Sequence, residues 1–146
     1  MTPNPTSQQG VILLEALIGI LIFSLGILAL VAMQAVAVSS VSNAQYRADA
    51  AFLANDLISE IWVDRGTSLD NVKNYAVSAG STSWQPAKNW TWKVYRKLPG
   101  SFENKPDVVI TDPPEGGKQV TVTIRWKSPE AVTVSNHVAI AFVSDP

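Results

Sequence analysis

Glu15 is the only charged side chain before Arg47, and the run that holds it, residues 11–38, is otherwise mostly Leu, Ile, Val, Ala and Gly. A carboxylate in such surroundings is costly, about 2.5 kcal/mol or more near the centre of a bilayer. An acid kept there does its chemistry by pairing, so a cation has to reach it. Just upstream, a short polar stretch ends in Gln9-Gly10. A residue without a side chain at that junction lets another protein approach the backbone closely.

The rest of the chain offers weaker chemistry. No nucleophile sits in a catalytic constellation, and no enzyme activity, cofactor or metal is expected. The single histidine, His137, shares the strand parity of Thr133 and Ser135 and reads as a surface residue. Asp107, Asp112 and Glu115 flank a Pro/Gly turn, where carboxylates can hold calcium, but their spacing is not that of an EF-hand loop and they read as solvated. Lys88, Lys93, Arg96 and Lys97 surround Trp90, Trp92 and Tyr95. Basic residues among aromatics can bind single-stranded nucleic acid. The two tryptophans alternate in step with Val94, however, and read as core, so no nucleic acid is expected.

Composition bounds what can position these groups. The chain has 146 residues, a formal net charge of −1 and no cysteine. Disulfides and thiolate metal sites are therefore excluded, and near-neutrality gives no electrostatic pull toward polyanions as a whole. The apolar run exceeds the ~20 residues needed to cross a bilayer and would be about 42 Å long as a helix. It is too long for the apolar core of a removable secretory signal, and residues 1–10 contain no Lys or Arg. A transmembrane segment over residues 11–38 is expected.

No proline occurs between Pro5 and Pro86, so the helix is predicted to continue through residues 11–65, with Gly66 as C-cap and a turn at Thr67-Ser68. In its second half Ala44, Ala48, Ala51, Ala54, Ile58 and Ile61 recur at helical spacing, opposite Asp49, Asp56 and Glu60. That amphipathic face must lie on something, and the head, residues 66–146, is the candidate. In the head the period changes to two. Residues 90–95, 108–110, 120–127 and 132–142 read as strands separated by Pro/Gly turns. The Trp and Val parity is expected to face the helix, with Trp126 and Phe142 among the large core residues. The fold class is α+β: one long helix packed on a small antiparallel sheet of about four strands.

A polar leader, a glycine, an apolar residue and Glu at the fifth position beyond the glycine form a prepilin junction. Residues 24–30 (Ser-Leu-Gly-Ile-Leu-Ala-Leu), Met33-Gln34 and residues 47–57 extend the likeness. Over about residues 10–65 the chain resembles the PilV family of type IV pilus minor pilins. The resemblance implies a leader over residues 1–10, cleavage between Gly10 and Val11 by prepilin peptidase, methylation of the Val11 amine and a subunit-assembly role for Glu15. It further implies an inner-membrane protein with a periplasmic head that later enters the pilus. The implied partners are other minor pilins, the major pilin and a tip adhesin. The chain has Val at position 11 where the family usually has Phe, and it lacks the disulfide of many pilins. The junction is shared with type II secretion pseudopilins, so a minor pseudopilin is the alternative. An uncleaved, membrane-anchored periplasmic binding module is another.

Overall fold

A computed structural model describes residues 9–66 and 69–144. Residues 1–8 of the expected leader and the turn expected at Thr67-Ser68 lie outside the described residues. The elements are α1 (Gln9–Asp64), a short 3₁₀ helix (Asn71–Tyr75), α2 (Gln85–Lys97), β1 (Asp107–Thr111), β2 (Lys118–Trp126) and β3 (Ser135–Val143). The chain divides into two compact units, Met1–Val41 and Ser42–Pro146.

Among the described residues the first unit is helix alone. Residues 10–38 are all exposed, and α1 is long and apolar enough to cross a membrane, with a mean hydropathy of 2.8 over its most apolar window. Ser24 does not break this surface, because its Oγ donates to the Ile20 carbonyl oxygen at 2.7 Å. A helix apolar on every side must be surrounded by lipid or by other helices.

The second unit takes in the end of α1 from Ser42 onward. Its core joins Ala50, Leu53, Ala54, Leu57 and Ile61 of α1 to Ala87, Trp90 and Val94 of α2 and to Val108, Val120, Val122, Ile124 and Trp126 of the sheet. The buried face of α1 is rotated from the alanine stripe expected for it: Ala44 and Ala48 are exposed. Leu53 and Leu57 bury more apolar area than alanines can, and so they set the orientation. Beyond Asp64, Gly66 takes a left-handed φ of 64°, as a helix C-cap requires. Tyr75 then donates its hydroxyl proton to Asp64 Oδ2 at 3.0 Å, which ties the 3₁₀ helix to the end of α1.

Among the described residues the sheet has three strands in the order β1-β2-β3, both pairs antiparallel. Its α+β class agrees with expectation, but the strand count does not. Residues 90–95 form part of a helix, because Pro86 stands at its start and Ala87, Trp90, Thr91, Val94 and Leu98 recur three or four residues apart on one buried side. The alternation of Trp90, Trp92 and Val94 imitates a strand over five residues and breaks beyond them. Trp90 is fully buried, and its indole N–H donates to the Leu53 carbonyl oxygen at 2.8 Å. Trp92 is 58 % exposed.

The third strand also differs. β2 buries Val120, Val122, Ile124 and Trp126 as its parity suggests. In β3, His137, Ala139 and Ala141 stand opposite Ile124, Val122 and Val120, and residues directly opposite share a face. Val138, Ile140 and Phe142 therefore point outward, and Phe142 is 62 % exposed, not a core residue. Val132 and Val134 precede the strand and are exposed. Hydrophobicity alone misreads β3 because a one-residue change of register moves every side chain to the other face.

The helix assignment of α2 separates two neighbouring tryptophans. Trp90→Ala should lower the unfolding free energy of the head by about 3–5 kcal/mol, whereas Trp92→Ala should change it by no more than about 0.5 kcal/mol. Denaturant unfolding of the full chain in detergent measures both. Equal losses would contradict the helix.

Candidate functional site

Gly10, Val11 and Glu15 occupy the first turns of α1. At a rise of about 1.5 Å per residue, Val11 and Glu15 are one turn apart on the same face. With Leu14 and Ile18 they line a shallow, largely apolar depression of about 310 Å³. Glu15 is exposed there, and among the described residues no cation is paired with it. It is also the only charged side chain in the first unit. A carboxylate with no second titratable group beside it cannot divide acid and base roles. What it can do is attract a cation brought to the helix surface.

Gly10 is exposed, with nothing within 4 Å of where a Cβ would stand. Its backbone N–H is among those at a helix start that have no intrahelical acceptor.

The head does not assemble the other candidate chemistry. Asp107 accepts from Arg125 Nη1 at 2.6 Å and from the Ala79 N–H at 2.7 Å. Burial alone would raise its pKa, but the guanidinium and the backbone donor outweigh burial and hold its carboxyl below the usual carboxylate range. Asp112 is paired with Lys118, and Lys73 lies 3.9 Å away. The hydrogen bond from Lys118 holds Asp112 low as well. Among the described residues no three acids or histidines are grouped to hold a metal ion. A cleft of about 570 Å³ opens beside Lys73, Ser78, Ser81, Thr82 and Asp107, but among the described residues its only carboxylate is the one held by Arg125. His137 lies on the inward parity of β3 and is half-buried, not on the wet face expected for it.

The cations around α2 separate into two groups. Lys93 pairs with Asp56 at 2.9 Å and Lys97 with Asp49 at 3.6 Å, so both lean toward α1. Lys88, Trp92 and Tyr95 line a separate small cleft, and Arg96 is exposed between them and a groove that it shares with Phe52 and Asp56 of α1. Tyr95 stands edge-on between Trp92 and Phe102, with ring centroids 5.7 and 5.2 Å away. Phe102 and the nearby Lys105 escaped notice in the sequence because they belong to this face only once residues 85–97 are helical.

Asp107 supplies a test of the head's electrostatics. Its lowered pKa means that its contribution is present above the ordinary carboxylate value of about 3.9 and is lost as pH falls through the lower folded value. Asp107→Ala should cost about 1 kcal/mol at neutral pH, and the gap from wild type should close in acid. Melting at neutral pH should not change with EDTA. A large EDTA-induced loss would revive a calcium role for Asp107, Asp112 and Glu115.

No protein-family model, curated protein or solved structure matches the chain, so its function is read from its own residues.

Proposed function

We propose that the chain is a structural minor pilin of a type IV pilus. It is cleaved between Gly10 and Val11 by prepilin peptidase, held in the inner membrane by α1 with its head in the periplasm, and then incorporated with other minor and major pilins at the start or tip of the fibre. The observation that supports this most is the lone Glu15 on a helix surface that is otherwise apolar all round, one turn from Val11. The likeness of residues 24–30, Met33-Gln34 and residues 47–57 to PilV-type helices favours a pilus over a secretion pseudopilus.

The mechanism follows from charge in an apolar medium. Cleavage creates a positive α-amine on Val11, four residues before Glu15, and methylation leaves that amine charged. In a single subunit the two charges offset one another near the membrane edge. In an assembly, Glu15 meets the terminal amine of a neighbour. Removing one member of such a pair leaves a buried charge at a cost of several kcal/mol. Only an axial register that pairs acid with amine is then tolerated, so Glu15 selects the register of docking and takes no part in catalysis.

Two variants test the two steps separately. A bulky residue in place of Gly10 should leave an uncleaved, membrane-retained precursor, seen as a slower band. Normal processing and assembly of that variant would refute the junction. Glu15→Ala should be cleaved, inserted and folded, but should co-purify with its pilin partners at clearly reduced yield. Glu15→Asp should recover part of that yield, because it keeps the charge with a shorter reach. Wild-type yield from Glu15→Ala would rule out the register mechanism.

A further inference from the structure

We propose that the outward face of α2 is a binding surface for single-stranded nucleic acid, with Trp92 and Phe102 as stacking platforms for bases and Lys88, Arg96 and Lys105 as phosphate contacts. The reason to expect no nucleic acid was that Trp92 belonged in the core beside Trp90. The helix removes that reason, since it buries Trp90 completely and leaves Trp92 on the surface. This inference does not depend on the pilin reading.

The surface has both halves of the chemistry. Lys88, Trp92 and Arg96 stand four residues apart, on one row of the helix, so that a ring is flanked on either side by a cation. All three are exposed. Tyr95 packs edge-on against both Trp92 and Phe102, and these two outer rings stay 58 % and 63 % exposed. Isolated surface aromatics are common, but two exposed rings braced by a third form a fixed platform. Every base has a face that stacks on such rings, whatever the sequence, and the cations supply affinity for the backbone.

The platform is held from below. Ala79 and Gly80 both take left-handed φ, 47° and 72°. The Ala79 N–H donates to Asp107, and the Gly80 N–H donates to the Pro106 carbonyl oxygen at 2.9 Å. A Cβ on Gly80 would stand 2.1 Å from the Tyr95 hydroxyl and 3.2 Å from Lys105 Cβ. The absent side chain therefore lets Tyr95 and Lys105 close over this loop, and it brings Lys105 to the ring cluster. A small cleft of about 240 Å³ beside them is lined by Ser81, Thr82, Lys88, Thr91 and Trp92, which adds hydroxyl groups next to the rings. The nearby acids Asp56 and Asp49 are taken up by Lys93 and Lys97. Glu103, next to Phe102 and exposed, opposes a polyanion here, and Asp56 shares a groove with Arg96.

Fluorescence anisotropy of labelled oligothymidylate and oligouridylate with the full chain in detergent tests the assignment. Both probes should bind at low salt, and Trp92→Ala should weaken binding roughly tenfold, the loss of one stacked base. Phe102→Ala should weaken it in the same direction. Lys88→Gln and Arg96→Gln should each lower the salt slope by roughly 0.7, one phosphate contact. No binding at low salt would overturn the proposal, as would wild-type affinity in Trp92→Ala with its melting point retained. An abasic oligomer that binds as well as oligothymidylate would also overturn it, because charge alone would then explain the contact and an acidic protein surface would be the better partner.

Discussion

A carboxylate on an apolar helix surface must find a cation, and the role proposed for the N-terminal end rests on that requirement. The helix around Glu15 presents no charge of its own to meet it, and its remaining surface gains nothing from water. Lipid satisfies the apolar side chains but not the acid. A neighbouring helix that brings an ammonium satisfies both. In the proposed function the same residue that makes α1 an imperfect lipid anchor thus makes it a selective partner for another helix. Specificity of this kind comes more from the cost of wrong registers than from the strength of the right one.

The second unit obeys a different constraint. Without disulfides or a gathered metal site among the described residues, it rests on one apolar core shared by the end of α1, α2 and the sheet. The bond from the Trp90 indole to the Leu53 carbonyl joins α2 to α1 at the centre of that core. The buried side of α2 sets how it faces α1, and around the rim the pairs Lys93–Asp56 and Lys97–Asp49 follow that orientation. They are partly exposed and each adds little stability. With Trp90 and Val94 in the core and those two lysines turned to α1, Lys88 and the ring of Trp92 are left exposed.

Much of this was legible in the sequence. The unbroken apolar run, the absence of proline and Gly66 gave α1 almost to the residue, and strict alternation gave the faces of β2. Two local patterns misled. Residues 90–95 alternate as a strand does, and only the wider window from Pro86 to Leu98 shows the helical spacing. In β3 the larger apolar residues face outward because pairing with β2 fixes the face, and a cross-strand register cannot be read from one strand. The buried stripe on the second half of α1 is displaced from the alanines because Leu53 and Leu57 carry more apolar area into the core. Glu15 could be singled out from sequence because isolation in an apolar run is a local property. The surface of α2 could not, because Phe102 and Lys105 reach it through a turn.

The central claim is that α1 is released at Gly10 so that a charged Val11 amine and Glu15 can be exchanged between neighbours in a fibre. Mass spectrometry of the chain's N-terminus, taken from a sheared and purified surface-fibre fraction, measures this most directly. The account predicts a chain that is present in the fibre and begins at N-methylated Val11. A chain that keeps residues 1–10 and is found only in the membrane would contradict it.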